Sequence, residues 1–190
     1  MREIRLAAGQ RNTSALQFHF GDREGLLRAI TERHRPQQQA RLKALYDTML
    51  AEHRQDDARS LVEVFVRPTA DSVFDGPSPR AWVRICADLA ARPELQVHDF
   101  VANASPEALD VGSKLLDRLE PIVPRRIGFE RIFMMSLATL HLCADRARIE
   151  GAEMSGRKHM SPEDFIVNVV DMSHSALFAP ASSLREARTA

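Results

Sequence analysis

Three places in the chain bring together residue types able to do chemistry. Near the C-terminus, Asp171-Met-Ser-His174 sets a carboxylate, a hydroxyl and an imidazole close together, with Glu163 and Asp164 one or two turns earlier. Asp171 and His174 stand three apart and would share a helix face. Ser173 and His174 adjoin, however, and point apart. No strand-to-helix nucleophile elbow and no glycine-rich phosphate loop accompanies them, so no enzyme is expected. The second place, His141-Leu-Cys143, is too sparse for a metal site, and nothing else supplies ligands at a suitable spacing. No metal and no cofactor are expected. The third is the start of the chain: Arg2-Glu-Ile, Ala7-Ala-Gly9, Asn12 to Phe20 (NTSALQFHF), then Gly21-Asp22. It reads as a short helix ending at a glycine, a few polar residues, and a second short helix. Two short helices joined by such a turn form a helix-turn-helix, whose second helix fits the DNA major groove.

The elements that must position these residues read as helical throughout, an all-α chain of 190 residues, long enough for a small head and a larger body. Domains are expected at 1–35 (head and connecting helix), 36–180 (body) and 181–190 (flexible tail). Pro36 is expected to open a helix whose stripe is Leu42, Leu45, Tyr46, Met49 and Leu50. Asp57 to about Phe74 forms another, kinked or divided at Pro68. Ser78-Pro79, Ser105-Pro106 and Ser161-Pro162 each place a capping hydroxyl before a proline, opening helices that run to about Ala91, Leu119 and Phe178. A long helix spans about Arg125 to Glu150, and Gly151 to Met160 is a polar connector.

Formal net charge is zero, which argues against a protein coated in nucleic acid. Residues 1–35 nevertheless hold seven arginines and four acids, a local +3 that suits a DNA-facing head on a neutral body. Cys86 and Cys143 lack CxxC spacing and lie in apolar patterns, so buried reduced thiols are expected. With no signal peptide and no uncharged apolar run of spanning length, the chain is expected in the cytoplasm. The helices near 125–150 and 162–178 are apolar on two faces. One face can pack on the body; the other implies a two-fold dimer built as a four-helix bundle.

The pattern REI…AAG…NTSALQFHFGDREGLL closely resembles the DNA-reading segment of the tetracycline-repressor (TetR-like) family. The resemblance implies a ligand-controlled transcription factor, commonly a repressor, that dimerises through its final helices. It makes Asn12 to Phe20 the recognition helix, with Leu16 and Phe20 facing inward beside Ile4. Arg2 matches a position that reaches a guanine edge, and Thr13, Ser14 and Gln17 are expected to face bases. Arg11 and Asn12 lie at the helix entry, Phe18 at a position that packs on the sugar-phosphate backbone, and His19 and Arg23 match phosphate contacts. Ile132, Met135, Phe165, Val169, Val170, Met172 and Leu177 are expected at the dimer interface. Recognition helices about 34–36 Å apart would match one DNA turn, and Asp22 to about Arg35 is the lever joining head to body. A small hydrophobic or aromatic effector is expected among Trp82, Ile85, Cys86 and Leu89 on one side and Phe65, Phe133, Leu137 and His141 on the other.

The sequence departs from the family in one respect: the family's head begins with a further helix, whereas Met1 stands where the second should start. Ile4, Leu16 and Phe20 would lose burial at about 25 cal/mol per Å2, so a longer natural N-terminus is expected. The rival expectation is a headless dimer, a sensor or interaction protein without specific DNA binding.

Overall fold

Short polar caps decide where most of the helices start. The computed structural model describes Gly9 and residues 15–91, 104–150 and 159–181; side chains at 15 and 16 lie outside that set. Seven helices form among these residues: α1 (Ala15–Phe20), α2 (Arg23–Ala51), α3 (Ala58–Asp71), α4 (Pro77–Ala90), α5 (Pro106–Leu119), α6 (Arg125–Glu150) and α7 (Pro162–Leu177). Asp57 caps α3 by accepting from the backbone N–H groups of Arg59 and Ser60, and Ser105 and Ser161 cap α5 and α7 from Ala108 and Asp164. Each cap satisfies a donor that the helix cannot pair internally.

Two expectations fail here. Pro36 opens no helix: α2 runs unbroken from Arg23 to Ala51 with Pro36 inside it, and α3 likewise continues through Pro68. A proline removes one helical hydrogen bond, and the packing of α2 against α3, α4 and α5 outweighs that loss. The α4 cap is also displaced. Gly76, at φ 99°, occupies the cap position and Pro77 the first turn. Ser78 therefore lies inside the helix, and its hydroxyl sits 3.3 Å from His34 Nε2.

Two apolar cores fill the body. One gathers Leu61, Val62 and Val66 of α3, Val111, Leu115 and Leu119 of α5, Met135 of α6, and Val169, Val170 and Leu177 of α7. The other joins Val83 and Ala87 of α4 to Cys143, Ala144 and Ala147 of α6, with Ala70, Val73 and Ile166. Helix α6 touches both cores. It is long and apolar enough to cross a membrane by length and composition, and in this fold it packs against α3, α4, α5 and α7.

The buried faces of α6 and α7 correct the expected dimer interface. Met135, Val169, Val170 and Leu177 lie in the protomer's own core, Ile132 and Phe165 pack against it, and only Met172 is exposed. On α7 the stripe Ile166–Val169–Val170–Ser173–Leu177 turns inward, leaving the opposite strip outside. The outward apolar residues include Met134 and Leu142 of α6 with Val167 and Met172 of α7, and Phe129 is exposed near the start of α6.

Candidate effector cavity and the helix that leaves it

Helices α4 and α5 share few contacts among the described residues, although each packs on α3 or α6 or both. The space between them is a cavity of about 500 Å3. Phe65 and Thr69 of α3, Trp82 and Cys86 of α4, and Ala108, Leu109, Gly112, Ser113 and Leu116 of α5 form three of its sides. Ala104 and, from α6, Phe129, Ile132, Phe133, Ser136, Thr139 and Leu140 complete it. The cavity lies where the two cores meet, because Phe65 and Ile132 pack on one core and Trp82 and Leu140 on the other.

No charged side chain is among these lining residues, so an ion entering would lose its hydration without a partner. Two of the four hydroxyls are already committed. Ser136 donates to the Ile132 carbonyl at 2.8 Å, and Thr139 lies 3.4 Å from Ser173 Oγ. Thr69 and Ser113 make no hydrogen bond among the described residues and remain as polar handles. Burial pushes the Cys86 thiol up to about 12, so it behaves as an apolar wall atom rather than a nucleophile.

Of the residues named from the sequence, Phe65, Trp82, Cys86 and Phe133 line this cavity together. It leaves out four others, and these are corrections. Ile85 and Leu89 lie half-buried beside the Trp82–Cys86 line, because Val83 and Ala87 take the face of α4 that packs inward. Leu137 and His141 fall one strip round α6 from Phe133, Ser136 and Leu140, and His141 is exposed. The whole α5 wall escaped the sequence reading. Its signal was Ala108, Gly112 and Ser113, small residues on one face of an otherwise leucine-rich helix, which leave room where a larger side chain would fill it.

The other chemistry-bearing residues separate. Asp171 pairs with Arg59 at 2.8 Å on the surface, Ser173 is buried against Thr139, and the His174 ring stacks 5.0 Å from Phe178. Among the described residues no cluster of three or more potential metal ligands forms.

Helix α2 connects the body to α1. Gly21, at φ 72°, turns the chain after Phe20, and Asp22 caps α2 by accepting from Gly25 N–H at 2.8 Å. A Cβ on Gly25 would stand 2.0 Å from the Phe20 carbonyl oxygen, so only glycine permits this close junction. Gln17, Phe18, His19 and Arg23 are exposed, Phe18 by 85%. Arg2, Ile4, Arg11, Asn12, Thr13, Ser14 and the side chain of Leu16 lie outside the described residues, as does the connector at 151–158.

Further along, α2 is held to the body by polar contacts. Gln38 donates to Ser72 Oγ at 2.7 Å, and Arg41 pairs with Asp75. Tyr46 donates to Asp110 of α5 at 2.8 Å. Burial works against the Asp110 charge, but hydrogen bonds from Lys114 and Tyr46 outweigh it and hold the carboxyl below its ordinary value. His34 is buried between these contacts and α1. Burial first, and the neighbouring Arg33 charge second, keep its pKa below 6.5, so the ring is neutral near pH 7.

An all-helical body around an apolar cavity, with one long helix leading out to the short α1, is the architecture of a helical ligand-binding domain. Residues 63–175 match the family described as tetracyclin repressor-like, C-terminal domain. The chain belongs to this family, whose members are ligand-binding regulators. No curated protein and no solved structure matches it.

Proposed function

We propose that this chain is a ligand-responsive DNA-binding transcriptional regulator, a repressor that a small uncharged hydrophobic or aromatic effector releases from operator DNA. The observation that carries the proposal is the apolar cavity of about 500 Å3 in a body whose long α2 reaches α1. Its volume falls in the usual range for small-molecule sites, about 300–1,000 Å3. Gln17, Phe18, His19 and Arg23, exposed on α1 and the start of α2, supply the polar, aromatic and basic groups that a DNA-facing surface needs. With them we assign Arg2, Arg11, Asn12, Thr13 and Ser14 to the DNA-contacting set.

The working unit is a cytoplasmic homodimer. Met134, Ala138 and Leu142 of α6 and Val167, Met172 and Ala176 of α7 are exposed, and pairing these strips across a two-fold axis covers apolar surface that a monomer leaves wet. Two heads on one dimer then meet two half-sites.

The test is a fluorescence-anisotropy titration of the protein against labelled DNA from upstream of its own gene, repeated with random DNA and at increasing salt. The expected result is preference for the upstream DNA, log affinity falling linearly with log salt, and release by an uncharged aromatic compound that binds the cavity. Equal affinity for random and upstream DNA would instead leave a dimeric sensor that binds no specific operator.

A further inference from the structure

One wall residue of the cavity also faces the outgoing helix. Trp82 lines the cavity, and its ring lies 5.9 Å from the His34 ring of α2, tilted by 33°. His34 is held a second time by α4, through Ser78 Oγ at 3.3 Å from Nε2. Along α2 the buried residues are Leu26, His34 and Met49. His34 is thus the buried contact between the clamp at Gln38 and Arg41 and the stretch that carries α1.

We propose that occupancy of the cavity is passed to α2 through the Trp82–His34 contact. This rests on the assignment of the cavity as the effector site. Among the described residues the buried indole N–H has no hydrogen-bond partner, so no polar bond from them fixes the ring in its present position. An unsatisfied buried donor costs free energy, and an occupant that shifts the ring or offers it an acceptor relieves that cost. Aromatic contacts depend on ring offset and tilt, so a small displacement of the indole changes how it supports His34. The neutral His34 imidazole of α2, hydrogen-bonded to Ser78 of α4, follows a shift of α4. Residues 23–33 then take a new setting relative to the body, and the ligand favours the setting in which it binds better.

Trp82 is the chain's single tryptophan, so its emission reports on the cavity wall directly. The probe is N-phenyl-1-naphthylamine, an uncharged aromatic amine whose binding is followed by energy transfer from Trp82. Backbone hydrogen exchange over residues 23–36 is measured with and without the probe, in wild type, His34→Leu and Ser78→Ala. In wild type the probe is expected to change exchange in this stretch by about threefold or more. His34→Leu should bind the probe within about twofold of wild type and lose the exchange response, and Ser78→Ala should weaken it. If circular dichroism shows His34→Leu unfolded, Ser78→Ala alone decides. Probe binding without any response at 23–36 in wild type overturns the coupling and leaves the cavity assignment intact. A full response in the folded variants also overturns it. Absence of probe binding to wild type overturns the cavity assignment and the coupling with it.

Discussion

Gly112 offers the sharpest test of the cavity, because it separates filling from packing. It lies within α5 on the cavity wall, and a Cβ built there meets no atom within 4 Å. Gly112→Ala therefore gains helix propensity, about 1 kcal/mol relative to glycine, and buries one methyl, about 0.8 kcal/mol more. The cavity side of the methyl finds few partners, so about 1–1.5 kcal/mol is the realistic total. In a chain of this length each kcal/mol shifts Tm by roughly 2–4 °C, so differential scanning calorimetry should show a rise of about 3–5 °C. Gly112→Leu places a branched side chain in the space a ligand needs, and N-phenyl-1-naphthylamine should bind at least about tenfold more weakly, equivalent to about 1.4 kcal/mol. The reasoning is refuted if Gly112→Ala lowers Tm, which would mean the space is already filled. It is equally refuted if Gly112→Leu remains folded and binds the probe as wild type does.

Other predictions follow from single groups. The Arg146 guanidinium lies 5.4 Å from the Phe74 ring centroid and 5.5 Å from that of Phe165, and donates to the Met160 carbonyl at 2.9 Å. Desolvated cation–π contacts and charged hydrogen bonds are each worth about 2 kcal/mol. Arg146→Ala should therefore cost about 3 kcal/mol in urea unfolding, and a loss below about 1 kcal/mol would show that the sandwich contributes little. At Asp57, the Ser60 hydroxyl bond first, and backbone bonds with it, hold the carboxyl below its ordinary 3.8 against the pull of burial. A depressed carboxylate stabilises the fold above its unfolded pKa, and that contribution fades as pH falls through the folded value. Asp57→Ala should thus cost about 1 kcal/mol near pH 7, with the difference from wild type shrinking below pH 3.8; a pH-independent difference contradicts the capping role. Burial raises both Cys86 and Cys143 to about 12. Both thiols should resist an aromatic disulfide reagent in the native state and react fully in denaturant, and rapid native labelling of either would contradict its burial.

Local chemistry made much of this molecule legible from sequence alone. The all-helical class, the caps Ser105 and Ser161 and the span of α6 follow from side chains within a few residues of where they act. The family resemblance was carried by the motif at the start of the chain, residues 2–27, whereas the family match falls on the body, residues 63–175. Trp82, Cys86, Phe65 and Phe133 were named from residue type and stripe and do line the cavity, but the same stripe also offered Ile85 and Leu89, which do not. Beyond that range the sequence was silent. Pro36 reads as a helix start, and only packing along the length of α2 carries the helix through it. Ser78 reads as a cap, and only the position of Pro77 frees its hydroxyl for His34. Helices α6 and α7 are apolar on two faces, and periodicity cannot say which face a protomer keeps; contact with α3 and α5 decided that Val169, Val170 and Met135 lie inside. The cavity itself is a failure of two helices to meet. Such a gap depends on where α3 and α6 hold α4 and α5, a distance between elements far apart in sequence that no local preference encodes.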